Sequence, residues 1–200
     1  MFAYCGNNPI LSSDPNGYYP IWERRYEGGI TAYTDKAPSV SKGDYNDFLD
    51  ALGFCESSND YSVENTHGYL GRYQLGNLAL QDAGFLDSDL NWTETANSYG
   101  VFCKNDFLAS PEAQDAAVKA CHIKICEYIR VLELDKYIGS RYCNVIVTKS
   151  GLLAACHLVG ANEMKRALES GEDSFDAYGA SASDNMKAFA GYDIKIVWGE

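Results

Sequence analysis

The chain has 200 residues, of which 46% are hydrophobic and 13% aromatic, and it carries a formal net charge of -12. A chain of this length and apolar content can bury a core, so we expect one folded domain rather than a disordered polymer. The acidic balance, with no lysine- or arginine-rich run, argues against binding to a phosphate backbone, and we expect no nucleic-acid partner.

The sequence carries no pattern typical of membrane insertion or export. No stretch approaches the roughly 18 consecutive apolar residues of a transmembrane helix, and the first residues lack the basic and apolar regions of a signal peptide. The seven cysteines are an odd number without a Cys-x-x-Cys pair, which favours reduced thiols over a disulfide framework. We therefore expect synthesis in the cytoplasm, with one or two disulfides after export left open.

Turn-forming residues dominate the first part of the chain. Glycine, proline, asparagine and serine recur through residues 1–42 without a helical period, which predicts an irregular N-terminal extension. The folded domain is predicted over residues 43–200. Its first helix begins after Asp44, a residue type that caps helices, and ends near Glu56 after apolar residues at helical spacing. A loop-rich region follows over residues 57–76.

Helical periodicity continues through the rest of the chain. The strongest helix begins at Ser110-Pro111, where serine can cap and proline suits the first turn, and it runs to about Leu132. The C-terminal residues 194–198 are interpreted as a short strand or a docking tail. We predict a mainly α fold, with further helices over residues 78–84, 149–158, 163–170 and 181–189.

Glu56 is the strongest candidate for a catalytic residue. It ends the apolar run Phe48-Leu-Asp-Ala-Leu-Gly-Phe-Cys55, and Ser57 follows it. An apolar setting disfavours the charged form of a carboxyl group, raises its pKa and lets it donate a proton near neutral pH. Proton donation of this kind is what the cleavage of a glycosidic bond requires.

Three separated motifs resemble those of a known enzyme superfamily. They are Glu56-Ser57 after an apolar helix, then Gly71-Arg-Tyr-Gln74, then Leu152-Leu-Ala-Ala-Cys-His-Leu-Val-Gly160-Ala. In this order they are similar to the lysozyme-like superfamily, especially soluble lytic transglycosylases and goose-type lysozymes, over residues 44–193. The resemblance implies a lysozyme-like helical domain that cleaves the β-1,4 bond between N-acetylmuramic acid and N-acetylglucosamine in peptidoglycan. Glu56 is then the general acid, and no cofactor is implied.

The resemblance also implies which residues hold the glycan. Cys156-His157 stands where the family usually has Tyr-Asn, and the proline that commonly accompanies the following glycine is missing. His157 is therefore expected to bond the substrate or Glu56, and Tyr178 to supply the hydroxyl of the missing tyrosine. The substrate-binding residues that we expect are Ser57, Tyr73, Gln74, His157 and Tyr178.

Many glycosidases use a second carboxylate, about 5 to 5.5 Å from the acid in retaining enzymes and about 6.5 to 9.5 Å in inverting ones. Asp60 and Glu64 are the nearest candidates in sequence for this second carboxylate. Lytic transglycosylases need none, because the substrate's own 6-hydroxyl closes an anhydro ring. Hydrolysis and transglycosylation therefore both stay open.

Two other functions remain as alternatives. A catalytically silent peptidoglycan-binding module would keep the cleft without the chemistry. A Cys-His cell-wall peptidase would pair one of the seven cysteines with one of the three histidines. Against the peptidase, the cysteines at positions 55, 121 and 156 fall on apolar helical faces, where small buried thiols are common.

Neither metal-like pattern in the sequence is expected to be a metal site. Cys121-His122 and Cys126 lack a second ligand pair, and adjacent residues on a helix point in different directions. The segment Asp87-Ser-Asp-Leu-Asn91 lacks the glycine and glutamate of a calcium loop.

The expected partners are peptidoglycan and, for an exported antibacterial effector, an inhibitor protein. A phage-type lysis enzyme is the other setting, and either would act in the periplasm or at the cell wall.

Overall fold

The computed structural model describes residues 41–176 and 179–199. These residues fold into a mainly α structure, as predicted. The helices are, in chain order, α1 (Tyr45–Ser57), α2 (Asn77–Asp82), α3 (Glu94–Ser98), α4 (Lys104–Leu108), α5 (Pro111–Val131), α6 (Lys149–Val159), α7 (Ala161–Ser170), α8 (Ala182–Ala188) and α9 (Lys195–Trp198). Between α5 and α6, a 3₁₀ helix spans Leu134–Tyr137 and is followed by the antiparallel strands β1 (Arg141–Tyr142) and β2 (Val145–Ile146).

Helix α1 carries the candidate acid and is fixed at both ends. The Asp44 carboxylate accepts a hydrogen bond from the backbone N–H of Asp47, and the Asp47 carboxylate accepts one from the backbone N–H of Asp44. This reciprocal pair is a capping box. At the other end, Ser58 lies in the left-handed region with φ 58° and stops the helix after Ser57. The predicted start and end of this helix are both confirmed.

Helices α5 and α6 form the centre of the core. Helix α5 starts where predicted, with the Ser110 hydroxyl capping it and Pro111 in the first turn. Every residue of α6 from Ser150 to Leu158 is buried, which is typical of a helix surrounded by protein. Helix α6 packs against α5, α7 and α8, and helices α2, α4 and α9 also pack against α5. The third sequence motif therefore lies inside the domain.

The interpretation of residues 194–198 as a strand is wrong, because they form the short helix α9. Val197 and Trp198 are buried, and Arg130 Nη1 donates a hydrogen bond of 2.7 Å to the Trp198 carbonyl oxygen. Gly199 follows with φ 80° and ends the helix. A run of apolar residues this short does not distinguish a strand from a buried helical turn, and packing against α5 decides the outcome.

The hairpin of β1 and β2 and the short helices α3 and α4 were not predicted. The hairpin turns at Cys143 and Asn144, which both have positive φ (45° and 66°). Positive φ at both turn residues is the geometry of a type I′ turn, and cysteine is not a residue type that signals it. Strands of two residues and helices of five are shorter than the windows in which periodicity can be read.

Over residues 41–176 and 179–199, no helix is both long enough and apolar enough to cross a bilayer. No disulfide joins any two of the six cysteines in the same part of the chain.

Candidate functional site

Glu56 lies in the last turn of α1 and is only 2% exposed. Its helical neighbours Leu52 and Cys55 are also buried. The helix therefore holds this carboxyl group in the interior, which is the setting that the sequence predicts for it. Burial of this kind disfavours the charged form of a carboxyl group.

Ser57 joins the first motif to the second. Its hydroxyl donates a hydrogen bond of 2.9 Å to the Arg72 carbonyl oxygen, and it accepts one of 3.0 Å from the Asp60 backbone N–H. The end of α1 is thus fastened to the segment that carries Gly71 to Gln74. Glu56 and this segment are neighbours as a consequence.

Residues 71–74 form a tight turn between Leu70 and Leu75. These two leucines exchange backbone hydrogen bonds of 3.1 and 3.0 Å. Gln74 has a positive φ of 47°, is 2% exposed, and donates from Nε2 to the Gly71 carbonyl oxygen at 2.9 Å. Its Oε1 is buried and accepts no hydrogen bond from any residue in the described ranges. The Gln74 side chain therefore closes the turn, and its Oε1 keeps the capacity to accept a hydrogen bond.

Replacing Gly71 by alanine is expected to disrupt this turn. Gly71 has φ 68°, and an added Cβ would collide with the side-chain amide of Gln114. Movement of that amide would break its hydrogen bonds to the backbone of Arg72, Tyr61 and Phe107. We expect a loss of about 3 kcal/mol in the free energy of unfolding, from the left-handed backbone and the broken hydrogen bonds together.

Gly84 offers a matched control for this substitution. It has nearly the same backbone angle, φ 74°, but open space where a Cβ would stand. Gly84→Ala should cost only the backbone strain of about 1 kcal/mol. Urea unfolding measures both variants, and equal losses would show that contact with Gln114 does not hold the turn.

Arg72 fastens the turn to the rest of the site. Its guanidinium donates to Asn59 Oδ1 at 2.8 Å and to the hydroxyls of Tyr61 and Tyr73 at 2.8 and 3.0 Å, and it forms an ion pair with Asp50. The rings of Tyr61 and Tyr73 lie 5.3 and 5.1 Å from the guanidinium carbon, within cation–π range. The Arg72 side chain is only 11% exposed. It therefore ties the loop after α1 to α1 itself.

Tyr73 contributes to the same network from the interior. It is 1% exposed, and its hydroxyl donates a hydrogen bond of 2.7 Å to Asp115 on α5. Burial, with the hydrogen bond to Asp115, raises the pKa of Tyr73. The ring and hydroxyl of Tyr73 thus hold the turn against α5, so its polar group is engaged within the protein.

His157 lies on α6 inside the core and is hydrogen-bonded to a second histidine. His122 Nε2 and His157 Nδ1 are 3.1 Å apart, and His122 Nδ1 is 2.8 Å from the Tyr45 hydroxyl. Burial lowers the pKa of His122 well below 6.5 and that of His157 to about 4, and the backbone of Tyr73 partly offsets the second shift. Both rings are therefore neutral at pH 7.

This histidine pair predicts a loss of stability in mild acid. The unfolded chain takes up protons near pH 6.5, whereas the folded chain holds His157 neutral down to about pH 4. The stabilisation is thus fully present above pH 6.5 and is lost as the pH falls towards 4. For His157 alone we expect the free energy of unfolding to fall by about 3 kcal/mol across this window.

His157→Asn isolates that contribution, since asparagine does not titrate. Urea unfolding of the native chain and this variant at pH 7.5, 6, 5 and 4.5 gives the difference at each pH. The free energy of unfolding of the native chain, relative to that of the variant, should fall as the pH decreases towards 4.5. A difference that stays constant with pH would contradict a neutral buried His157. His67→Asn, at an exposed position, is the control.

The two candidate second carboxylates lie on the exposed loop after α1. Asp60 accepts hydrogen bonds from the backbone and hydroxyl of Ser62, and it therefore stabilises a local turn. Glu64 pairs with Lys104 on α4 at 2.7 Å. Tyr178, the expected hydroxyl donor, lies outside the described residues.

A groove of about 630 Å³ lies next to the turn of residues 71–74, and Glu56 is not among its lining residues. The side chains of Tyr69, Leu78 and Trp92 line it, and the Glu64–Lys104 ion pair lies among its lining residues. Its wall includes Leu70 and Gly76, which flank the turn that carries Gln74. The groove and the turn are therefore built from one continuous segment of the chain.

Three cysteines of the core lie where a nucleophilic thiolate is disfavoured. Burial raises the pKa of Cys121 and of Cys126 to about 12, and it also raises that of Cys156 beside His157. A thiol attacks as its thiolate, which such surroundings disfavour at neutral pH. These three cysteines therefore give no support to a Cys-His peptidase.

The structure joins Ser57, which follows Glu56, to the turn that carries Tyr73 and Gln74, places His157 in the core beside His122, and leaves Asp60 and Glu64 on the exposed loop. Sequence reasoning missed Asp115 and His122. Their spacing of seven residues along α5 places them on one helix face, which was the available signal.

Comparison of the chain with protein families, curated proteins and solved structures found no match.

Proposed function

We propose that the protein cleaves the glycan strand of peptidoglycan with Glu56 as the general acid. The observation that carries this proposal is a carboxyl group, 2% exposed at the end of α1, beside a turn fastened to it through Ser57 and Arg72. The buried acid and the turn are thus held together although about 15 residues separate them in the sequence. Such convergence around a desolvated titratable group is typical of catalytic sites.

The proposed reaction begins with the proton of Glu56. Glu56 donates it to the glycosidic oxygen while the bond from that oxygen to the anomeric carbon breaks, so the leaving sugar departs as an alcohol. The electron deficiency left on the ring is that of an oxocarbenium ion. Attack by water then gives hydrolysis, and attack by the substrate's own 6-hydroxyl gives an anhydro end. In both cases the attacking hydroxyl loses the proton that restores Glu56.

The groove beside the site suits a glycan strand in shape and chemistry. Its volume of about 630 Å³ is within the range of ligand sites. Tyr69 and Trp92 offer aromatic surface for the apolar faces of sugar rings, and the Glu64–Lys104 pair offers charge for their hydroxyl rims. In this proposal Glu64 acts on the substrate rather than as the second catalytic carboxylate.

The other residues of the site act mainly by holding Glu56 and the turn in place. The polar groups of Ser57, Tyr73 and His157 bond within the protein. Gln74 differs, because its buried Oε1 can accept a hydrogen bond from a sugar hydroxyl. We propose peptidoglycan as the substrate after export and, in an antibacterial setting, an inhibitor protein as the partner that covers the groove.

Purified cell walls provide the direct test of this function. We expect the protein to lower the turbidity of a wall suspension and to release soluble muropeptides. Mass analysis of the products separates the two outcomes, since anhydro ends indicate transglycosylation and reducing ends indicate hydrolysis. Cleaved stem peptides with intact glycan strands would overturn the proposal, and binding to walls without any product would leave only a binding module.

A further inference from the structure

A chain of three polar side chains crosses the core behind the candidate site. It runs from Tyr45 on α1 through His122 on α5 to His157 on α6, with contacts of 2.8 and 3.1 Å. All three residues are buried, and His122 is completely inaccessible to solvent. Phe48 packs edge-on against the His122 ring. Polar groups in such apolar surroundings are costly unless each hydrogen bond is made, so their protons must be arranged consistently.

The arrangement of protons has two solutions, and the surroundings favour one. If Tyr45 donates to His122 Nδ1, then His122 carries its proton on Nε2 and donates to His157 Nδ1, which leaves the His157 proton on Nε2. In the opposite order, the Tyr45 hydroxyl proton points away from His122 and His157 Nε2 becomes an acceptor. Among the described residues, the Tyr45 hydroxyl forms its hydrogen bond with His122 alone, so its proton is satisfied only in the first order. The backbone of Tyr73 also raises the pKa of His157, as an acceptor near the ring does.

We infer that Tyr45 and His122 are positioning residues, which fix His157 as the Nε2–H tautomer near the backbone of Tyr73. His157 is then a fixed hydrogen-bond donor rather than a proton acceptor. The tautomer follows from the geometry alone, and its effect on turnover rests on the proposed function.

Nitrogen-15 NMR of the histidine side chains tests the tautomer without any activity measurement. At pH 7 both His122 and His157 should show the pattern of a neutral ring protonated at Nε2. In Tyr45→Phe, which removes only the hydroxyl, His122 should become a mixture of tautomers. An Nδ1–H signal for His157 in the native chain would overturn the inference, as would unchanged spectra in the variant. The His67→Asn variant assigns the third histidine signal.

Wall digestion tests the positioning role. Tyr45→Phe should lower kcat several-fold with little change in KM, because the turn beside Glu56 is displaced while the groove is intact. Tyr142→Phe is the matched control, since it also removes a buried hydroxyl, one that bonds Glu172 and Asp173. A tautomer change in Tyr45→Phe without a change in kcat would overturn the positioning role. Should the native chain cleave no walls, the proposed function fails while the NMR result still decides the tautomer.

Discussion

Replacement of Glu56 by glutamine should abolish glycan cleavage almost completely. Glutamine keeps the shape of the side chain but has no proton to donate, and general acid catalysis typically contributes roughly 10²- to 10⁴-fold in rate. We therefore expect kcat on purified walls to fall by a factor in that range. Wall binding, measured by co-sedimentation, should persist because the groove is unchanged.

Stability measurements complete this experiment. If Glu56 is protonated, as the proposal requires, it matches glutamine in volume and charge, so the free energy of unfolding of Glu56→Gln should stay within about 1 kcal/mol of the native value. Glu169→Gln, at an exposed position on α7, is the matched control and should leave the activity unchanged. Full activity of Glu56→Gln would show that Glu56 is not the general acid. Wall binding by an inactive native chain would favour the silent binding module.

Replacement of Arg72 by methionine should cause a large loss of stability. Methionine fills part of the space of the alkyl chain but makes none of the hydrogen bonds to Asn59, Tyr61 and Tyr73. It also leaves Asp50 and Asp115 without the nearby positive charge. Since both carboxylates are partly exposed, water offsets some of the loss. We expect the free energy of unfolding to fall by about 3 kcal/mol, which corresponds to a Tm lower by roughly 6 to 12 °C.

Arg166→Met provides the comparison for this stability effect. Arg166 is exposed on α7 and pairs with Glu163 one turn away, so its loss should change the free energy of unfolding by less than about 0.5 kcal/mol. Thermal unfolding and wall digestion on both variants decide the role of Arg72. If the two variants unfold at the same temperature, the guanidinium network does not hold the loop after α1.

The helices that carry the site could be predicted because their signals are local. Asp44 caps α1, and Ser110 with Pro111 opens α5, each through contacts within one helical turn. The position of Glu56 at the end of an apolar run predicted its burial for the same reason. Periodicity of apolar residues then favours one core over a chain of separate units.

The partners of the site residues could not be predicted in this way. Arg72 and Asp115 are 43 positions apart in the sequence, and His122 and His157 are separated by 35. Nothing in the residues around His157 distinguishes a side chain that faces a substrate from one that bonds another histidine. The resemblance to lysozyme-like enzymes favoured contact with the substrate, whereas the packing of α5 against α6 places His157 in the core.

The sequence by itself determined the helical class, the ends of α1 and α5, and the candidacy of Glu56, because propensity, capping and apolar spacing act over a few residues. Only the tertiary structure decided which polar groups meet. The Arg72 network and the Tyr45–His122–His157 chain form where α1, α5 and α6 approach one another, and their hydrogen bonds depend on distances that no local pattern sets. The same packing removes Tyr73 and His157 from solvent and places their polar groups in hydrogen bonds to Asp115 and His122.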